Sequence, residues 1–296
     1  MNMPEKCGYI AIVGKPNVGK STLLNQLVGQ KISIMTPKPQ TTRLQILGIN
    51  TQDNAQAIYV DTPGIHRDQQ RTMNRYMNRL ASSVITDANI VLFVIEALRW
   101  SGEDELVLEK IQTTEAPVIL VINKVDTVKD KNQLLPFIEK IKSKYAFAQI
   151  VPLSAKRETE VKHLQEIIFD LLPLAPHLFP DDQVTDKNER FQAAELIREK
   201  VIRETSQELP YCTAVGIESM KMENNCIHIH AIIWVEREGQ KVIIIGKQGK
   251  KLKKIGTEAR LDIEKLLGHK VFLQLWVKVK EDWTDSEAGL RNLGYI

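Results

Sequence analysis

The segment Gly14-Lys15-Pro16-Asn17-Val18-Gly19-Lys20-Ser21 constrains this chain more than any other. It follows the apolar run from Tyr9 to Val13 and opens a helical pattern, so a strand has to turn into a helix through a glycine-bracketed loop. Further short apolar runs, Ala57 to Val60, Ile90 to Ile95, Val118 to Ile122 and Gln149 to Pro152, alternate with longer helical patterns. Strands separated by helices specify the α/β class, a mostly parallel sheet covered on both faces. Leu44 to Ile49 and Ala57 to Val60 flank the turn-rich Thr51-Gln52-Asp53-Asn54, which predicts one antiparallel hairpin inside that sheet.

The glycine loop also has a chemical reading. Glycines let backbone N–H groups face a chain of phosphates, and the helix that follows adds the positive end of its dipole. Lys20 reaches the outer phosphates, Ser21 offers a hydroxyl to magnesium, and Thr22 completes the cradle. Asp61-Thr62-Pro63-Gly64 directly follows the run ending at Val60, which places a carboxylate near the metal and the Gly64 N–H near the last phosphate. Asn123-Lys124-Val125-Asp126 follows another strand. The Asp126 carboxylate can accept from guanine N1–H and the 2-amino group, and adenine has neither donor in that place. A carboxylate left unpaired rejects the wrong base by orders of magnitude. Ser154-Ala155-Lys156, after the final strand, resembles the loop that offers a backbone N–H to guanine O6.

These four motifs, in this order and on these elements, resemble the translation-factor-like GTPases from about residue 8 to residue 172. Within that class Lys38-Pro39-Gln40-Thr41-Thr42-Arg43 resembles switch I of the bacterial Era family. The resemblance implies that Thr42 joins Ser21 and Asp61 around magnesium and senses the last phosphate, with Lys20, Thr42 and Gly64 as the catalytic set. A solvated threonine-rich loop is the competing reading of Thr42. Many GTPases place a glutamine directly after DxxG to orient water, and here that position is Ile65. Isoleucine cannot orient a water, so hydrolysis is slow unaided or draws on a group supplied elsewhere. Era-like GTPases share a hydrophobic residue here. Asn17 resembles the asparagine that holds potassium in some relatives, and shaping the turn is its alternative role.

Three prolines, Pro173, Pro176 and Pro180, cannot continue the preceding helix and mark a boundary. We expect a nucleotide domain over 1–175, a linker over 176–188 and a second domain over 189–296. In the second domain a helix from about Glu189 to Glu208 precedes strands at Thr213 to Ser219 and Cys226 to Val235. A strand at Val242 to Ile245, Gly246-Lys247-Gln248-Gly249, a lysine-rich helix, a second helix through Leu267 and a strand at Val271 to Val279 follow. Although net charge is only +3, Lys241 to Lys280 holds eleven basic residues against three acids, a footprint for a polyanion or a solubilising face. The αββααβ order, with GxxG before a basic helix, resembles the prokaryotic, type II KH domain, an α+β fold. In that family the GxxG loop clamps a few single-stranded nucleotides while an apolar groove holds their bases. The resemblance implies RNA contacts from Gly246, Lys247, Gln248, Gly249, Lys250, Lys251, Lys253 and Lys254.

Both domains together resemble the Era arrangement over essentially the whole chain. It implies a GTP- and GDP-binding monomer that uses magnesium, and potassium if Asn17 holds it. It further implies a grip on the 3′ end of small-subunit ribosomal RNA and a role in maturing the 30S subunit. A GTPase partner of an RNA-modification system is the alternative, and a passive RNA-binding module with a structural nucleotide site is the third. An intact Lys20 and Asp126 argue against the last. The longest apolar run, Ile90 to Ile95, is far below the roughly 18 residues of a bilayer span, and Cys7, Cys212 and Cys226 lack zinc-site spacing. A cytoplasmic protein with reduced cysteines is the expectation. Peripheral association with the inner membrane belongs to the family, with no support in the residues. His228 and His230 share a strand face without a third ligand, Trp234 and Trp276 read as core or groove wall, and Met73 and Met77 as packing of a switch helix.

Overall fold

In the computed structural model the described residues are 4–38, 41–64, 72–205 and 209–293, and they form two compact units. The first draws on 4–33, 42–64 and 74–186; the second on 187–293 with 34–38, Thr41, Thr72 and Met73.

The first unit runs β1 (Lys6–Val13), α1 (Lys20–Val28), β2 (Ile46–Gln52), β3 (Ala55–Asp61), α2 (Thr72–Asp87) and β4 (Ile90–Glu96). It continues through α3 (Gly102–Ile111), β5 (Val118–Asn123), α4 (Leu134–Lys142), β6 (Gln149–Pro152) and α5 (Glu158–Leu171). The sheet order is β2-β3-β1-β4-β5-β6, with only the β2–β3 pair antiparallel, as the hairpin signal predicted. Asp53, at φ 51°, takes the left-handed turn position that Asn and Asp tolerate. Every residue of β5 is buried, as a strand covered on both faces requires. Met77 packs without exposure in α2.

Beyond α5 the proline-rich stretch runs along this unit. Gln56 donates to the Phe179 carbonyl and accepts from the N–H groups of Leu178 and Phe179. Ile49 N–H donates to the Val184 carbonyl at 2.9 Å, so the edge strand β2 finds partners beyond the sheet.

The second unit contains α6 (Glu189–Glu204), β7 (Ala214–Glu223), β8 (Cys226–Val235), α7 (Glu238–Ile245), α8 (Lys250–Leu267), β9 (Lys270–Val279) and α9 (Glu287–Asn292). β7 and β8 pair antiparallel through Asn224 and Asn225, at φ 48° and 60°, while β8 and β9 run parallel. Ala193, Ile197 and Val201 of α6 meet Ile255, Ala259 and Ile263 of α8 and the odd-numbered residues of β8 in one core. Lys38 donates to the carbonyls of Ile202 and Thr205, at the end of α6 where carbonyls lack helical partners, and Arg198 donates to the Thr41 carbonyl. The expected order αββααβ is present, but Val242 to Ile245 is the end of a helix, not a strand, and α8 is one continuous helix. Cys7 and Cys212 are buried and Cys226 half-buried, and all three stand outside any disulfide.

Candidate nucleotide site and candidate RNA groove

The loop after β1 folds as it does because side chains are excluded from its glycines. A Cβ on Gly14 would lie 2.3 Å from the Val94 carbonyl oxygen, and one on Gly19 2.3 Å from Asn123 Nδ2. Gly19, at φ 102°, sits at the N-cap of α1, and Asn17 takes φ 63°. Lys20 is buried, and its Nζ donates to the carbonyls of Gly14 and Lys15, each at 2.9 Å. Burial pushes its ammonium down to about 8, against the pull of Asp61. Pro16 closes over Gly64, whose Cβ, if present, would meet the proline ring at 2.9 Å. Lys15 reaches sideways to Asp104 Oδ2 at 2.7 Å and Ser101 Oγ at 3.1 Å.

Three residues far apart in sequence converge beside this loop. Asp61, fully buried at the end of β3, accepts on Oδ2 from Ser21 Oγ at 2.8 Å and from Thr42 Oγ1 at 3.4 Å, and the two hydroxyls lie 2.9 Å apart. Ser33 Oγ adds a third donor to the same oxygen at 2.9 Å. Asp61 Oδ1 is buried with no hydrogen-bond partner. Burial raises the Asp61 carboxyl above the ordinary range, opposed by Lys20 and by the three hydroxyls. A hard, oxygen-only donor set with one orphaned carboxylate oxygen fits a magnesium ion. Thr62, next along the chain, is turned away and donates to the Ile12 carbonyl at 2.9 Å.

The base-reading motifs build a separate pocket. Asn123 is 2% exposed, donates to the Val18 carbonyl at 2.7 Å, and accepts from the N–H groups of Lys124 and Ala155 at 2.7 and 2.9 Å. Lys124 adopts φ 65° and pairs with Glu96 at 2.7 Å. A cavity of about 240 Å³ opens between Thr22, Asn123, Asp126, Thr127, Ser154 and Lys156. Asp126 is exposed at its edge, and hydrogen bonding from the Ser154 side chain holds its carboxyl below the usual range. Ser154 N–H is fixed by Glu160 Oε2 at 2.6 Å. Ser33, Thr127, Glu96 and Glu160 escaped the sequence reading, because none lies in a motif.

In the second unit the GxxG loop joins two helices, α7 and α8, which corrects the expected strand-to-helix context. Gly246 and Gly249 take φ 70° and 72°, and a Cβ on Gly246 would press on Lys251 at 2.7 Å. Lys247, Gln248 and Lys250 are exposed and Lys251 half-buried. Lys254 is engaged by Glu204 at 2.7 Å and Glu258 at 3.9 Å, so its charge is largely answered within the protein. A groove of about 400 Å³ runs between α8 and β9, walled by Leu252, Gly256, Thr257, Arg260, Leu273 and Leu275. Gly256 lines it without a side chain, and a Cβ there would reach Leu275 at an ordinary contact distance of 3.4 Å. Trp276 is neither core nor a wall of this groove; it is 37% exposed, and its neighbours on β9, Leu275 and Val277, turn to the inner side. His228 packs at a tilt against Phe272 and His230 edge-on against Trp276, and no group of three or more His, Cys, Asp or Glu suited to a metal occurs among the described residues. Ile65, Pro39 and Gln40 lie outside the described residues.

Comparison with known proteins agrees with this division. A family model for 50S ribosome-binding GTPases matches residues 9–124, and a KH domain model matches residues 208–284. GTPase Era of Marinobacter nauticus is 53% identical over 293 residues, covering 99% of this chain and 96% of the relative. A point variant of Aquifex aeolicus Era bound to GDP and aluminium fluoride superposes with a TM-score of 0.94 at 42% identity, over 98% of this chain and 99% of that one. An Era structure in complex with MgGDPNP and nucleotides 1506–1542 of 16S ribosomal RNA gives a TM-score of 0.95, also at 42% identity and with the same coverage.

Proposed function

The chain belongs to the Era family of GTPases, and we propose that it is a switch whose nucleotide state governs the grip of its KH domain on the 3′ end of small-subunit ribosomal RNA during 30S maturation. The observation that carries the reading is the convergence of Ser21, Thr42 and Asp61 within 3.4 Å of one another beside Lys20. Lys20 and the N-terminal end of α1 hold the phosphates, and Asp126 with the Ser154–Lys156 loop reads guanine. Ser21, Thr42 and Asp61 would hold magnesium, which offsets charge on the phosphate oxygens. Thr42 and the Gly64 N–H then sense the presence of the last phosphate from its two sides. Asn17 is assigned to potassium in the same loop, which replacement of potassium by sodium in a hydrolysis assay tests. With isoleucine at position 65, unaided turnover falls well below the ~1–100 s⁻¹ typical of kinases.

RNA enters through the α8–β9 groove, with bases against Leu252, Leu273 and Leu275 and backbone along Gly246–Gly249. The supporting relative is the Era complex that contains 16S RNA together with MgGDPNP. Titrating a labelled strand from the 3′ end of small-subunit ribosomal RNA against the parent and against Lys247→Asp/Gln248→Asp, at two salt concentrations, tests the assignment. The double variant should bind at least tenfold more weakly with GTP affinity unchanged, and the parent's affinity should fall as salt rises. Equal affinities would remove the groove from the reading.

A further inference from the structure

β8 and β9 carry no acidic residue over Cys226–Val235 and Lys270–Val279. Their odd-numbered side chains enter the core of the second unit, and the even-numbered ones stand on the opposite face of the sheet. That face presents Phe272 at 50% exposure and Trp276 at 37%, where an ordinary solvated strand would place polar groups. The register pairs His228 with Phe272 and His230 with Gln274, and the rings fall into two pairs. His228 lies 5.1 Å from Phe272 at an interplanar angle of 38°, and His230 5.4 Å from Trp276 at 84°. Lys278 sits 5.8 Å over the Trp234 ring, and Lys270 and Lys221 are exposed at the other end of the same face. The acids nearby are on β7: Glu218, which meets Lys278 at 3.4 Å, and Glu223 at the strand end.

We propose that this open sheet face is a second surface for single-stranded RNA, on which unpaired bases stack against Phe272 and Trp276. Two observations select RNA over a protein partner. Exposed aromatic rings bordered by lysines, on strands free of acids, suit bases and phosphates together, whereas an apolar protein patch has no need of the lysines. The face is also continuous with the groove proposed above: Gln274 stands between Phe272 and Trp276 and at the same time lines the groove, because β9 is the edge strand. A strand leaving the groove therefore passes around the β9 edge onto the rings. The inference rests on the groove reading for its direction and adds a footprint longer than the groove holds.

The test uses the full chain and two labelled single strands, one of about four nucleotides, which fills a KH groove, and one of about ten, which extends past it. Phe272→Ala/Trp276→Ala should bind the long strand at least tenfold more weakly and the short strand equally well, the retained short-strand affinity showing that the second unit is still folded. The long strand should quench tryptophan fluorescence in the parent, and Trp276→Phe should lose most of that quenching while retaining affinity. If the double alanine variant binds the long strand as tightly as the parent does, the second surface is overturned and the groove is left standing. Failure of the parent to bind either strand overturns the groove reading instead. Should the long strand bind the double variant normally while a purified protein partner is lost, the face is a protein-docking surface and the inference is wrong.

Discussion

Asn123 Nδ2 donates to the carbonyl of Val18 at 2.7 Å, tying the base-reading strand end to the phosphate loop across more than a hundred residues of sequence. The other side of the same amide accepts from Lys124 and Ala155, so one buried side chain fixes three loops. Asn123→Ala leaves the Val18 carbonyl and the Ala155 N–H without their partner. We expect a loss of about 2–4 kcal/mol in unfolding free energy together with weakened binding of both GTP and GDP. Urea denaturation and nucleotide titration check it; a variant with parental stability and affinity would show that the three loops hold their places without the amide.

Asp126→Asn should cost about 2–4 kcal/mol of GTP binding by removing a charge-assisted bidentate acceptor. Xanthosine triphosphate, whose 2-oxo group calls for a donor, should gain. Because the Asp126 carboxyl is held low by Ser154, it is ionised throughout the neutral range, and GTP selectivity over ATP should not vary from pH 6 to pH 8. Undiminished GTP affinity in the variant would take Asp126 out of the base pocket.

The Lys20 ammonium titrates near 8 in the nucleotide-free protein because it is buried. Bound phosphates favour its charged form and raise that value, so the complex holds a proton that the free protein releases above pH 8. GTP affinity should therefore be flat below pH 8 on this account and fall by up to about tenfold per pH unit above it. Calorimetry at pH 8.5 in buffers of different ionisation enthalpy should detect net proton uptake on binding. No uptake would mean that Lys20 is already fully charged in the free protein.

The sequence disclosed the nucleotide site because its motifs are local: each puts backbone and side chains into place within a few residues, and the strand–loop–helix context is equally local. Ser33 and Thr127 stayed hidden for the opposite reason. Their positions beside Asp61 and in the base pocket are made by tertiary packing, and neither residue type is unusual where it stands. Val242-Ile243-Ile244-Ile245 suggested a strand through its β-branched run, yet it ends a helix. That helix is started by Gln240, whose side chain accepts from the N–H groups of Glu236 and Arg237. With Arg237 in place of a serine or threonine, the sequence carries no recognisable capping signal. Val242 and Ile243 are 67% and 46% exposed, so burial does not hold this run in a sheet.

Asp104 supports the last prediction. It is fully buried, and its Oδ2 accepts from Ser101 N–H, Ser101 Oγ and Lys15 Nζ, so the carboxylate starts α3 and anchors the phosphate loop at once. Asp104→Ala removes the α3 cap and leaves Lys15, 13% exposed, to seek water. The cap and the ion pair together should cost about 2–3 kcal/mol of stability, less than an entirely buried pair because the lysine is partly accessible. In a double-mutant cycle with Lys15→Met, a coupling of about 1–2 kcal/mol between the two sites is expected. The same variants should slow nucleotide association more than release, since the tether holds the empty loop in shape. Additive stability effects, within about 0.5 kcal/mol, would show that Lys15 and Asp104 are neighbours without a shared role.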